Sequence, residues 1–304
     1  MSKVLSILVL IFITALYQKS LTQETKDTIE TKSSSEIIGT PLKKYHFLNF
    51  KQFKHPSITV FSGLNYPSFS KLSPNAKFNT QNFASIHLGT TKIKLKELKD
   101  GRKVTEILKS GLFIGNYSSK WKVKGNENID ATMWRFGIDF SDDGYGYKLG
   151  SKNFLFFTHG NSFIWSKFDV TDLSKFQQPD SMRYATFSEQ FRFGTSYQSG
   201  LSLILLDKIS VDLRYERSIV FPGHKFWYWT GSWFIEGIGQ FLLDQFIREI
   251  VFSSPYSAPI VNAVLKGALS YGIYELRKDK MNWPFNTEPP LFNDNFKIGL
   301  TFIF

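Results

Sequence analysis

Apolar and polar residues alternate with a period of two over long stretches of this chain. The clearest run is the last. Phe296, Ile298, Leu300, Phe302 and Phe304 share one parity, and Lys297, Gly299, Thr301 and Ile303 the other. Successive strand side chains point to opposite sides of a sheet, so such runs predict strands with one apolar face. Residues 132–140 repeat the pattern, with Trp134, Phe136, Ile138 and Phe140 against Met133, Arg135, Gly137 and Asp139. Within 187–215, Phe191, Phe193, Thr195, Tyr197, Ser199, Leu201, Leu203 and Leu205 oppose a face that includes Gln190, Arg192, Gly194 and Ser196. Its partner sets Ile209, Val211, Leu213 and Tyr215 against Ser210, Asp212, Arg214 and Glu216. A two-residue loop at Asp207-Lys208 would pair Leu203 with Asp212 and put charge on the apolar face. A three-residue loop from Leu206 to Lys208 pairs Leu205 with Ile209 and Leu203 with Val211, and is the one expected.

Weaker segments fill the rest. Residues 58–66 read as a short strand. Ala84, Ile86 and Leu88 share one parity, but Ile93 and Leu95 take the other against Lys92, Lys94 and Lys96. That flip predicts a bulge or turn at Gly89-Thr90-Thr91. Asp143-Gly144 and His159-Gly160-Asn161 carry turn signals and predict hairpins. Residues 221–233 concentrate aromatics and suit a membrane-interface belt. The period then becomes helical. Ile235, Ile238, Leu242, Phe246 and Ile250 form one stripe; Ile260, Val264, Leu265, Leu269, Ile273 and Leu276 belong to another, opened by Ser257 as N-cap with Pro259 in the first turn. An amphipathic helical hairpin is expected over about 234–279, with plug, cap and side domain all open as its place.

The N-terminus has a different texture. Residues 1–22 combine Lys3, an apolar run from Val4 to Leu16 and the small residues Ser20 and Thr22, the composition of an export signal cut before Gln23. Residues 23–56 are polar and predict a linker or disordered arm, leaving 57–304 as the folded domain. The apolar run is too short to span a bilayer as a helix.

The terminal strand ending on Phe resembles the C-terminal signature of bacterial outer-membrane β-barrel proteins. The resemblance implies an outer-membrane location, insertion by the barrel-assembly machinery, and an assembly signal in Phe304, Phe302 and Leu300. The expected fold is all-β: an antiparallel transmembrane β-barrel of about 8–10 strands with the helical hairpin inserted. In such a barrel apolar residues face lipid and polar ones the lumen. That assigns Arg135, Asp139, Gln190, Arg192, Asp212, Arg214 and Glu216 to the lumen, with Lys297 and Thr301 beside them.

Composition narrows the chemistry. The chain has 304 residues with 31 Phe, 13 Tyr and 7 Trp, a load that suits a lipid-facing surface. The net charge of +11 is spread along the sequence, which argues against nucleic acid as a partner and reads mostly as solvated loop surface; membrane lipid is the partner expected of the barrel. With no cysteine there is no disulfide, thiolate metal site or Cys-linked lipid anchor. Gly144, Gly146 and Gly150 miss the dinucleotide spacing by one residue, and the five His are scattered. His55-Pro56-Ser57 is the one His-x-Ser pair of the kind that outer-membrane lipid hydrolases carry. No cofactor, metal or catalytic residue is assigned, and a non-enzymatic protein is expected: a porin-like, structural or adhesion barrel. The alternatives are a soluble exported β-domain that binds a partner through its aromatic surface, and, behind it, a barrel-embedded lipid-modifying enzyme.

Overall fold

The computed structural model describes residues 49–69, 77–98, 101–121, 129–171 and 180–304. The expected export signal and the polar arm as far as residue 48 lie outside them. Eight strands form one closed antiparallel barrel: β1 (Asn49–Phe69), β2 (Gln81–Glu97), β3 (Lys103–Ser118), β4 (Ala131–Lys148), β5 (Phe154–Val170), β6 (Arg192–Leu205), β7 (Ile209–Val220) and β8 (Leu291–Ile303). Each pairs with the next, and β8 closes on β1, which leaves no long open edge within the shared span. Helix α1 (Asp180–Ser188) lies between β5 and β6, and helices α2 (Phe226–Ser253) and α3 (Ala258–Arg277) lie between β7 and β8. Connections at residues 98–102, 149–153 and 206–208 are short and share one end with the chain terminus; those at the other end are long.

The loop argument between β6 and β7 matches the structure: Leu205 opposes Ile209 and Leu203 opposes Val211. Leu206 and Asp207 carry the tight reversal with φ of 55° and 59°. Other expectations need correction. The arm does not reach residue 56, because Asn49 already pairs with Glu97 and β1 runs on from there. The alternation read back to Phe187 starts only at Arg192; Phe187 belongs to α1 and packs inside the barrel. Asp143-Gly144 and His159-Gly160-Asn161 are not turns but sit in mid-strand, where Asp143 opposes His159 and Gly144 opposes Thr158.

No bulge lies at Gly89. β2 keeps an unbroken register with both neighbours from Asn82 to Lys96. Its odd positions face inward throughout, so Ile86 and Leu88 point out on one side of Gly89 while Ile93 and Leu95 point in on the other. What changes along the strand is the surroundings: an apolar exterior gives way to one carrying Lys94 and Lys96, both paired with Glu106.

Two apolar layers close the interior. Toward the long loops, Phe61, Phe83, Phe113, Tyr117, Phe168 and Phe187 belong to one cluster. Toward the short turns, Ile93, Ile107, Phe154, Phe156, Ile204 and Ile303 form the other. Gly299 makes room for the first. A Cβ there would stand 2.3 Å from the Phe61 ring, so the glycine lets that ring lie flat across the wall. On the outside, Val60, Ile86, Leu112, Ile114, Ile298 and Leu300 are among the residues of an exposed apolar belt, Leu112 to 60%.

The hairpin lies along the outer wall rather than as a plug or a cap: α3 packs on β4, β5 and β6. α2 also starts earlier than the sequence predicts, taking in the aromatic stretch from Phe226. Ser257 makes no side-chain cap; its hydroxyl donates to the Ser254 carbonyl at 3.0 Å. Arg102 instead satisfies the end of α2, donating to the carbonyls of Phe252 at 2.7 Å and Ser253 at 2.9 Å. At the hairpin's base, Lys225 pairs with Glu288 at 2.9 Å and holds that carboxyl below its usual pKa.

Candidate functional site

Between the two apolar layers the interior is ionic. Strand parity aims the polar side chains of β3, β4, β7 and β8 at the axis, where burial means that each charge needs a partner. Glu216 accepts from Arg135 Nη1 at 2.8 Å, Lys297 Nζ at 2.5 Å and Asn295 Nδ2 at 3.1 Å. Arg135, fully buried, spends its other donors on Ser166 at 3.2 Å and Ser218 at 2.9 Å and lies 5.0 Å from the Tyr117 ring centre. Asp212 accepts from Lys109 at 2.6 Å, Thr301 at 2.7 Å, Arg214 at 3.1 Å and the Ser202 hydroxyl. Arg214 reaches Asp142 at 2.5 Å with its other nitrogen. Four cations, Lys109, Arg135, Arg214 and Lys297, and four carboxylates, Asp139, Asp142, Asp212 and Glu216, thus share the interior in three clusters: Glu216 with Arg135 and Lys297, Asp212 and Asp142 with Lys109 and Arg214, and Asp139 with His87.

Of the residues the sequence assigns to the lumen, Arg135, Asp139, Asp212, Arg214 and Glu216 lie in these clusters. Arg192 stands at the start of β6 and donates through Nε to the Thr186 carbonyl at 2.6 Å, fastening α1. Gln190 contradicts its assignment: it is exposed, in the link between α1 and β6, because the strand begins two residues later. The sequence reading missed Asp142, which a register shift between Asp139 and Ser141 turns inward, and Lys109, which carries no signal beyond its parity with Ile107.

Asp139 pairs with His87 Nδ1 at 2.9 Å and accepts from Ser162 at 2.5 Å; His87 Nε2 lies 3.3 Å from the Ser85 hydroxyl. The order Asp–His–Ser is that of a nucleophilic relay, but the surroundings leave no place for a substrate. The His87 ring is stacked on Phe113 and met edge-on by Phe61, and Ser85 is buried. The adjoining cavity, lined by Ser57, His87, Lys109, Asp139, Asp142 and Arg214 among others, measures ≈ 40 Å³, room for about two or three waters. His55 and Ser57 do not face each other: His55 Nδ1 is 2.7 Å from the Phe304 carbonyl oxygen, and Ser57 accepts from Thr91 at 3.0 Å.

At the chain end, Leu300, Phe302 and Phe304 point outward and are exposed, Phe304 to 67%. The Phe304 amide donates to the Pro56 carbonyl at 3.0 Å, where β8 ends beside β1.

Fold and site together define an eight-stranded antiparallel β-barrel, apolar outside and ionic inside between two apolar layers. No protein-family model matches the chain, and no curated protein matches it. Among solved structures it is similar to Neisserial surface protein A (NspA), at 9% identity over 82% of this chain and 97% of that one with a TM-score of 0.36. It is also similar to Ail, the attachment invasion locus protein of Yersinia pestis, at 10% identity over 83% and 98% with a TM-score of 0.29. At that level neither likeness transfers a residue role or an activity.

Proposed function

We propose that this chain is a bacterial outer-membrane β-barrel that acts as a structural or adhesion protein through its outer surface and long-loop end, and not as a diffusion pore. One observation carries the reading: the barrel wears its apolar residues outside and packs its charges inside, between two apolar layers. A soluble β-domain would expose the belt of Leu112, Ile114 and Ile298 to water while desolvating the Glu216 and Asp212 networks, unfavourable on both counts. In a bilayer the same arrangement is the low-energy one. The belt also favours membrane lipid over a protein partner bound through aromatics. The barrel-assembly machinery enters through the resemblance of the last strand alone.

A packed, neutral interior supports a non-conducting role. A porin needs a continuous wetted path, and here Phe61, Phe113 and Phe83 stand on one side of the ion pairs and Phe154, Phe156 and Ile107 on the other. The purified chain in planar bilayers is expected to give no stable conductance steps, while remaining with the outer-membrane fraction after carbonate washing. Reproducible steps that scale with salt would contradict the sealed-interior reading, and release by carbonate would contradict the membrane reading.

A further inference from the structure

A helical hairpin packed on a protein in water turns its apolar stripe inward and its polar side to solvent. The α2–α3 hairpin does the reverse over much of its length. On α3, Asn262, Lys266, Ser270, Tyr274 and Arg277 are buried, while Ile260, Val264, Tyr271 and Leu276 are exposed. On α2, Ser232 and Glu236 are buried, and Phe234, Ile238, Phe241, Leu242 and Phe246 are exposed.

The wall beneath is inverted to match. Lys266 bridges Asp143 of β4 and Asp244 of α2, both at 3.1 Å. Ser270 lies 3.2 Å from His159 Nε2, whose Nδ1 is 2.9 Å from Ser199 on β6. Arg217 of β7 lies 3.7 Å from Glu275 and 4.2 Å from the Tyr271 ring centre. Arg277 ties the two helices together through Glu236 and Ser232, each at 3.0 Å. Polar groups thus occupy outward positions of β4–β7 where, elsewhere on the barrel, apolar residues stand.

We propose that the hairpin is embedded in the membrane beside the barrel, with bilayer hydrocarbon as the occupant of its apolar face. The inference rests on the membrane reading above. The exposed hairpin residues complete the apolar belt over the sector where the strands themselves are polar. α3, with 20 residues, is about 30 Å long, the depth of the hydrocarbon core. Exposed charges of α2 fall late, at Arg248 and Glu249, and the partly exposed Asp244 before them is paired with Lys266. Ile247 and Val251 beside them pack with Leu98 and Val104, at the end where β2 and β3 also become charged outside. Among the described residues no helix is long and apolar enough to cross a membrane by itself. Here only the outer faces meet lipid, because the wall satisfies the polar stripe, and neither surface tolerates hydrocarbon without the other.

The chain has no cysteine, so single cysteines at Ile238, Phe241 and Val264 on the hairpin, and at Leu112 and Leu300 on the belt, can carry a nitroxide one at a time. In phosphatidylcholine vesicles, collision rates with oxygen and with a water-soluble nickel chelate report lipid or water. All five sites are expected to favour oxygen, several-fold over a label at Lys152 in a short turn. Hairpin sites that favour nickel while Leu112 and Leu300 favour oxygen would overturn this proposal and leave the membrane barrel standing. All five favouring nickel would overturn both. Hairpin sites sheltered from both reagents, with the belt still favouring oxygen, would make the occupant another protein chain and overturn the lipid assignment. Several sites on each surface keep the outcome readable if one labelled variant does not fold.

Discussion

Glu216→Leu is expected to cost the barrel about 3–5 kcal/mol, the range for breaking a buried ion pair by removing one partner. The loss is large because Glu216 serves two cations. Without it Arg135 and Lys297 stay in a closed interior, with Ser166, Ser218 and the Phe61 and Tyr117 rings as their remaining neighbours. Against a total stability of about 5–15 kcal/mol, such a loss removes most of the folded population under mild denaturant. Urea titration of the chain in vesicles, followed by heat-dependent gel mobility, measures it. Replacing Arg135, Glu216 and Lys297 together by Met, Leu and Met takes out both cations along with their shared carboxylate, leaves neither cation buried without its partner, and should recover most of the loss, since apolar replacement of a whole buried set is often neutral or stabilising. Equal losses in the single and triple variants would mean that shape, not charge balance, holds the interior.

Deleting Phe304 is expected to have a larger effect on assembly than on stability. In the folded barrel the residue contributes little: its ring is mostly exposed, and the deletion removes one hydrogen bond from its N–H to the Pro56 carbonyl and the carbonyl contact to His55. Those interactions are worth about 1–3 kcal/mol at most. The resemblance of the last strand to outer-membrane signatures implies that Phe304 is also read during insertion. The truncated chain should therefore refold in vesicles with a nearly unchanged urea midpoint, yet show a strong drop in heat-modifiable, membrane-inserted protein in cells. Normal insertion in cells would remove the assembly role from Phe304; a collapsed midpoint in vitro would make the residue structural.

These contrasts follow from what sequence can and cannot specify. The β6–β7 register was legible because a wrong loop length would set Asp212 against Leu203, a conflict inside the chain itself. Arg135 and Asp139 alternate with Trp134, Phe136 and Ile138, and their side chains take the parity opposite those outward residues. The reversal at Gly89 was not legible as such. Alternation records which side of a strand is apolar, and the same record results from a bulge or from a change of surroundings outside the barrel. Asp143 and His159 mislead for a related reason: polar residues in mid-strand read as turns until a helix 111 to 123 residues away is seen to cover them. Gln190 continues an alternation beyond the point where the backbone leaves the sheet. The apolar stripes of α2 and α3 are legible in the sequence, but only the structure shows that much of each, such as Ile238, Leu242, Phe246, Ile260 and Val264, points away from the protein, while Ile250 and Leu265 pack beside Leu98 and Val104.

The central claim is that apolar positions outside the barrel face hydrocarbon and that this exterior ends near Gly89. Spin labels placed singly at Ala84, Ile86, Leu88, Lys92, Lys94 and Lys96 test it directly, because all six lie at outward positions of one unbroken strand. In vesicles, labels at Ala84, Ile86 and Leu88 should favour oxygen, and those at Lys92, Lys94 and Lys96 should favour the nickel chelate. Nickel preference at all six sites would contradict the account, since the barrel would then stand in water along its whole length.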